Sequence, residues 1–209
     1  MIVQLSYLFV LLLTFLLFGE KICEQDLLLK FFILGKKNKQ MEQQFIVKEG
    51  EFAPDFTFKD SKNKDLKLSH FLGKQVVLYF YPRDFTPGCT TEASEFSKDY
   101  NKYHQNNIVI IGISPDDEKT HSKFKEQMKI PFFLASDINK QISQKYGVAS
   151  LKIFMGKEYL AVNRTTFLID KDGRIIKIFH KVKPKGHSIE ILNYFLKYRN
   201  IRFSLRTYK

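Results

Sequence analysis

The stretch Tyr79-Phe80-Tyr81-Pro82-Arg83-Asp84-Phe85-Thr86-Pro87-Gly88-Cys89 runs from an apolar segment, through a proline turn, into a helix start. The run from Gln75 to Tyr81 is β-branched and aromatic without charge, which is typical of a strand covered on both faces of a sheet. Pro82 ends this strand because proline has no N–H to donate to the ladder. Thr86 followed by Pro87 predicts a helix, with threonine at the N-cap and proline at the first helical position.

Cys89 is predicted to lie among the free N–H groups of the first helical turn. The positive end of the helix dipole stabilises an anion there, and the thiolate is the reactive form of cysteine. A free cysteine is more often an inert, buried side chain that packs as a small hydrophobe. The helix start is what makes Cys89 a candidate nucleophile.

Strand and helix patterns alternate beyond this stretch. Segments 108–113 and 132–135 are apolar enough for buried strands, whereas 116–128 begins with acidic residues, as helices do. Helical spacing of apolar residues also predicts three helices, with faces at Ala93, Phe96, Tyr100 and Tyr103, at Ile138, Ile142 and Tyr146, and at Ile189, Leu192 and Phe195. The alternation predicts an α/β sandwich with a largely parallel central sheet.

Two hairpins complete the predicted fold. In the first, Phe56 and Phe58 alternate with polar residues, segment 60–64 supplies turn residues, and the alternation resumes after it. In the second, two apolar runs flank a short turn that contains Asp172 and Gly173.

The composition fits one globular domain with extensions. The chain has 209 residues, 44% of them hydrophobic, and a net charge of +12 from 34 Lys+Arg against 22 Asp+Glu. The positive charge is spread along the chain, which favours a solvated surface, and we expect no specific nucleic-acid contact. Two cysteines, without a C-x-x-C, exclude a disulfide framework, and the five scattered histidines predict neither a metal site nor a cofactor.

The chain divides by composition into four segments. Residues 1–23 are predicted to be a hydrophobic signal peptide or signal anchor, with 2–18 as the apolar core that could contact a membrane. Residues 24–44 form a basic linker or transit-like segment, 45–198 the globular domain, and 199–209 a basic tail. We expect entry into a secretory or organellar route without a defined final compartment; cytoplasm or nucleus is the alternative.

Pro82-x-x-x-Thr86-x-x-Cys89 matches the active-site motif of peroxiredoxins. The segment 79–93 resembles the bacterioferritin-comigratory protein branch, also called peroxiredoxin Q, and segments 154–170 and 181–187 agree with it in register. The resemblance covers residues 45–198. It implies a thioredoxin-like fold, with a central mixed β-sheet flanked by helices, and a thiol peroxidase that acts in antioxidant defence.

The resemblance also implies a role for each motif residue. Cys89 would attack the peroxide O–O bond and become a sulfenic acid. Arg164 would stabilise the thiolate and the oxygen charge that develops, Thr86 would hydrogen-bond the peroxide, and Pro82 would shield the pocket from water. Taken alone, Thr86 would be interpreted as a helix cap and Arg164 as an exposed strand residue.

The second thiol of the reaction is predicted to come from outside the chain. Relatives often carry a resolving cysteine five residues after the first, and Ser94 occupies that position here. The domain has no other cysteine, so we expect a 1-Cys cycle with thioredoxin, glutaredoxin or glutathione as reductant, unless Cys23 reaches Cys89. The resemblance favours a monomer and leaves a dimer open.

The sequence argues against two other functions. A disulfide oxidoreductase on the same fold would need a C-x-x-C to release the mixed disulfide, and the chain has none. A non-catalytic binding module, tethered to a membrane or associated with nucleic acid, would have no reason to keep Thr86, Cys89 and Arg164 together.

Overall fold

A computed structural model describes residues 47–60 and 63–207 of the chain. The strands are β1 (Thr57–Lys59), β2 (Asp65–Lys67), β3 (Gln75–Phe80), β4 (Ile108–Ser114), β5 (Phe133–Ser136), β6 (Ala149–Phe154), β7 (Lys157–Val162), β8 (Thr165–Ile169) and β9 (Ile175–His180). The α-helices are α1 (Pro87–Gln105), α2 (Glu118–Met128), α3 (Gln141–Lys145) and α4 (His187–Thr207), and a 3-10 helix spans Leu68–Phe71.

A five-stranded sheet in the order β5-β4-β3-β8-β9 forms the centre of the fold. Strands β3, β4 and β5 are mutually parallel, whereas β8 runs antiparallel to both β3 and β9. The sheet is therefore mixed, as the resemblance implied, with its parallel half on the side of β3 that carries β4. Every residue of β3 is buried, which explains its uncharged sequence.

The two faces of β3 pack against different partners. Val77 and Tyr79 point to the face that is covered by α1, α2 and α4, where Phe96, Phe124 and Phe195 are fully buried. Val76, Leu78 and Phe80 point to the opposite face, which is covered by the β1–β2 hairpin and the end of α3. Each such buried side chain contributes roughly 1.5–3 kcal/mol from the removal of apolar surface from water.

Both predicted hairpins are confirmed. Phe58 pairs with Leu66 in the β1–β2 hairpin, and Phe167 pairs with Ile178 in the β8–β9 hairpin. In the second turn Asp170 accepts hydrogen bonds from the backbone N–H groups of Asp172 and Arg174. The Asp-Gly turn signal therefore identified the correct connection.

The helix predicted from Ile138, Ile142 and Tyr146 is shorter than expected. Only Gln141–Lys145 is helical, and the Ile138 side chain is 59% exposed. The reason lies in Asp137, whose carboxylate accepts hydrogen bonds from the backbone N–H groups of Ile142 and Ser143. This acceptor fixes the helix start after residue 140, so that Ile138 is left outside the core.

The β6–β7 hairpin was not predicted. Its turn is Met155-Gly156, with φ values of 50° and 74°, and Met155 is an unusual residue at a positive φ. Leu151 and Ile153 alternate with polar residues, but both side chains are exposed, so the ribbon does not bury them in the core. The turn lacks the Asn-Gly or Asp-Gly pair that marks most two-residue hairpin turns.

The ends of the chain are only partly described. Helix α4 continues to Thr207, through most of the segment 199–209 that we predicted as a basic tail. The predicted segments 1–23 and 24–44 lie outside the described residues. Within the described ranges, no helix combines the length and apolar character needed to cross a membrane.

Candidate active site

The turn of residues 81–86 follows β3 at the edge of the sheet where the parallel strands have their carboxyl ends. The Tyr81 N–H donates to Ile113 O at 3.0 Å, which is the last ladder bond on this side. The exposed Pro82 follows and has no N–H to continue the ladder, as predicted. The turn therefore leaves the sheet at the place where open α/β sheets usually bind their ligands.

Cys89 is the third residue of α1, after Pro87 and Gly88. The first backbone bond of the helix runs from Thr90 N to Thr86 O at 2.9 Å, so that the preceding N–H groups lie free at the positive end of the helix. Cys89 itself is only 2% exposed. The predicted helix start is confirmed, and it surrounds a nearly buried sulfur.

Arg164 lies between β7 and β8, and its guanidinium reaches Cys89. Arg164 Nη2 is 3.1 Å from Cys89 Sγ, although the two residues are 75 positions apart. Burial lowers the pKa of the guanidinium, but Glu92 and Cys89 outweigh this effect and raise the pKa of Arg164 above its ordinary value. The structure therefore brings together two of the predicted residues, and the positive charge of the guanidinium is held next to the sulfur.

Glu92 is a site residue that sequence reasoning missed. Its carboxylate forms a salt bridge with Arg164 Nη1, and its side chain is 1% exposed. Burial raises the pKa of Glu92 to about 7, and the opposing charge of Arg164 offsets this only in part. Glu92 follows Cys89 by three positions and thus shares its helix face, a spacing that was the one available signal.

Thr86 occupies the N-cap position of α1 but does not cap it. Its backbone is extended, with φ −77° and ψ 147°, yet its side chain accepts no hydrogen bond from the first turn. The hydroxyl donates instead to Arg83 O at 3.0 Å. The cap interpretation of the side chain is therefore wrong, and the oxygen lone pairs remain available to accept a hydrogen bond from another group.

Gly88 is a second residue that sequence reasoning missed. A Cβ at this position would lie 3.3 Å from Arg164 Nη2 and 3.6 Å from Pro184 Cγ. A side chain here would therefore press on the guanidinium that contacts Cys89. The contact also places the β9–α4 loop, which carries Pro184, beside the start of α1.

Ser94, at the position of the resolving cysteine in many relatives, is exposed on α1. Of the two cysteines in the sequence, Cys89 lies in the described part of the chain, where it is a free thiol. Among residues 47–60 and 63–207, no three His, Cys, Asp or Glu side chains converge as metal ligands. The chemistry that the described site supports is that of a single thiol next to a cation.

Known proteins resemble this chain over most of the globular domain. The AhpC/TSA family matches residues 50–178. Peroxiredoxin Bcp of Bacillus subtilis is 47% identical over 143 residues, which cover 68% of this chain and 91% of that protein. Peroxiredoxin Bcp of Escherichia coli is 36% identical over 148 residues, or 71% of this chain and 95% of that protein.

Solved structures agree with these relatives. The bacterioferritin comigratory protein of Xanthomonas campestris superposes with a TM-score of 0.65 at 30% identity, covering 68% of this chain and 91% of that chain. A BcpB protein from Mycobacterium tuberculosis gives a TM-score of 0.63 at 31% identity, covering 70% and 95%. These likenesses confirm the thioredoxin-like fold that the sequence predicted.

Proposed function

The chain belongs to the AhpC/TSA family, as a peroxiredoxin of the bacterioferritin-comigratory (peroxiredoxin Q) branch, and from this premise we propose that Cys89 works in a 1-Cys cycle. The proposed substrates of this cycle are hydrogen peroxide and organic hydroperoxides. The observation that carries the assignment of Cys89 is the 3.1 Å contact between Arg164 Nη2 and a buried sulfur at a helix start.

In the first step the Cys89 thiolate attacks one oxygen of the peroxide, an S–O bond forms and the O–O bond breaks. The sulfur loses two electrons and the peroxide gains them, so the products are Cys89 sulfenic acid and, after protonation, water or an alcohol. Arg164 stabilises the thiolate before the attack and the leaving oxygen during it, because its charge is fixed beside both.

Thr86 and Pro82 have supporting roles in this proposal. The Thr86 hydroxyl proton is committed to Arg83 O, so the oxygen acts as acceptor for the O–H of the bound peroxide and orients it in line with the sulfur. Pro82, at the exposed surface of the turn, limits the approach of water.

In the second step an external thiol attacks the sulfenic acid, with loss of water, and a second thiol then releases the mixed disulfide to regenerate Cys89. Thioredoxin, glutaredoxin and glutathione are the candidates. The support for an external thiol is the serine at position 94 together with the absence of any other cysteine from residues 45–198.

The test measures peroxide consumption with each of the three reductants, for the native chain and for Cys89→Ser. We expect activity with at least one reductant and complete loss in the variant. Mass spectrometry of the oxidised protein should show Cys89 as a sulfenic acid or as a mixed disulfide with the added thiol. Activity that survives in Cys89→Ser would refute the mechanism, and a Cys23–Cys89 disulfide as the main product would refute the 1-Cys cycle alone.

We also propose that residues 2–18 direct the chain into a secretory or organellar route, and that the mature protein is a monomer. The support for the route is the uncharged, apolar character of that segment. Cell fractionation followed by N-terminal sequencing should find a mature chain that begins after this segment. An intact N-terminus in the cytoplasm would contradict the route, and light scattering that gives the mass of a dimer would contradict the monomer.

A further inference from the structure

Asp84, in the turn of residues 81–86, is buried and makes hydrogen bonds to three other residues. Its side chain is 0% exposed, its Oδ1 accepts a hydrogen bond from the Tyr81 hydroxyl at 2.7 Å, and its Oδ2 lies 2.7 Å from His121 Nδ1. The Asp84 backbone N–H donates to Asp116 Oδ2 at 2.8 Å. The peroxide reaction described above uses none of these contacts.

His121, on α2, bridges Asp84 to the sheet. Its second ring nitrogen, Nε2, lies 3.3 Å from the Ala135 carbonyl of β5, and a carbonyl can only accept. The two ring nitrogens thus link the turn to β5 through α2, and the contact with Asp84 is a buried hydrogen bond between side chains that are 5% and 0% exposed. Removal of one partner leaves the other polar group buried without it, which costs more than the bond itself contributes.

Phe85, next to Asp84, has a φ of +60°. A bulky residue in this left-handed region is strained and keeps the conformation only when its surroundings hold it. The Phe85 ring packs edge-on against Phe124, with ring centroids 5.0 Å apart. His121 and Phe124 are three positions apart on α2, so one face of this helix holds two consecutive residues of the turn.

We propose that His121 and Asp84 are positioning residues of the peroxide reaction. Their pair fixes the turn whose last residue is Thr86, and so fixes where the Thr86 hydroxyl stands relative to Cys89 Sγ. Neither side chain touches the reacting atoms. The inference rests on the proposed roles of Cys89 and Thr86, and it adds to them one residue of the turn, Asp84, and one residue of α2, His121.

Two properties of the site, the stabilisation of the thiolate and the orientation of the peroxide, can be measured separately. The thiolate is stabilised by Arg164 and by the start of α1, which do not involve His121. The orientation of the peroxide depends on the turn. Loss of the pair should therefore slow the reaction with peroxide and leave the reaction of the thiolate with iodoacetamide, which needs no Thr86 contact, unchanged or faster.

The experiment compares native protein with His121→Gln, Asp84→Asn and the double variant, and uses Lys123→Gln on the exposed side of α2 as control. For each, stopped-flow kinetics give the rate constants for hydrogen peroxide and for iodoacetamide. We expect each single change to lower the peroxide constant about 10- to 100-fold, since small displacements of a positioned group have such effects. The double variant should recover part of the loss, because two amides can pair again, and Lys123→Gln should match the native protein.

Three results would overturn the inference: a native peroxide constant in both single variants, equal losses in the peroxide and iodoacetamide constants, or the same loss in Lys123→Gln. If the single variants do not fold, Tyr81→Phe removes one hydrogen bond to Asp84 and keeps the ring, and the same split of the two constants, in smaller measure, is expected there. A native protein that does not form Cys89 sulfenic acid would refute the proposed function instead, so the two failures are distinguishable.

Discussion

The two sides of Cys89 are built on different principles. On the charged side, Arg164 contacts the sulfur directly and Glu92 pairs with the other end of the same guanidinium, so that opposite charges meet in a nearly buried pocket. On the turn side, Asp84 and His121 pair with each other, and the Thr86 hydroxyl donates to Arg83 O. In the mechanism that we propose, the charged side stabilises the thiolate and the turn side orients the peroxide for attack.

Replacement of Arg164 should have the largest effect, because it removes the positive charge beside the sulfur. Arg164→Met keeps a long side chain and removes the charge, and we expect the peroxide rate constant to fall by about 10²–10³-fold, the usual effect of losing one group that stabilises a developing oxyanion. Iodoacetamide alkylation should fall as well, since the thiolate loses its cation. Both rates are measured by stopped-flow kinetics. Arg174 is an exposed arginine in the β8–β9 turn, and Arg174→Met provides the control. Equal rates in native and Arg164→Met protein would contradict the role of the charge.

Glu92, on the same side, should make the stability of the protein depend on pH. Its pKa is raised to about 7 by burial, so the folded state holds this proton more tightly than the unfolded state does. The stability linked to Glu92 is therefore fully present below pH 4.5 and is lost as the pH rises through about 7, with a total on the order of 3 kcal/mol.

Glu92→Gln removes the titration and tests this directly. Urea unfolding at pH 5 and pH 8 should show that the native protein loses more stability over this interval than the variant does. Glu126→Gln, which removes an exposed carboxylate on α2, serves as the control for the loss of one acidic side chain. An identical pH dependence in native and Glu92→Gln protein would show that Glu92 does not hold its proton in this range.

Thr86 tests the turn side. Thr86→Val should lower the peroxide rate constant about tenfold, because the acceptor that orients the peroxide is lost. Thr86→Ser should keep most of the rate. The melting temperature should change little in either variant, since the side chain does not cap α1. A native rate in Thr86→Val would contradict the role of the hydroxyl, because valine keeps the shape of threonine and lacks its oxygen.

Gly88→Ala is the mildest change, and it tests how much room the Arg164 guanidinium has beside the start of α1. The new Cβ would lie 3.3 Å from Arg164 Nη2, so the guanidinium must shift by a few tenths of an ångström. We expect a loss of several-fold in the peroxide rate constant and little change in melting temperature, because alanine is a better helix former than glycine. A rate equal to that of the native protein would mean that Arg164 has room to adjust.

Much of the fold could be predicted because its signals are local. The proline after β3, the Asp-Gly turn and the helical stripe on α1 each lie within a few residues of the feature they specify. The β6–β7 hairpin was missed because Met155 takes the positive φ that turns usually give to Asn, Asp or Gly. The late start of α3 was missed because a side chain, Asp137, sets it.

The site was less accessible to prediction, for a physical reason. Cys89 and Thr86 follow from the helix start, but Arg164 is 75 positions away and came from the family resemblance, not from any local pattern. Glu92 carried only its spacing on α1, and the pair of Asp84 and His121, 37 positions apart, carried no signal at all. Contacts between residues that are distant in the chain form only when the whole domain folds, and no local sequence pattern marks them.

The roles of Cys89 and Arg164 are tested most directly by mass spectrometry of the native protein after one equivalent of hydrogen peroxide, with a sulfenic-acid trap present and no reductant. We expect one trap adduct, on Cys89, and its loss in Arg164→Met under the same short exposure. An unmodified Cys89, or a disulfide between Cys89 and Cys23 in place of the adduct, would rule out the proposed 1-Cys cycle.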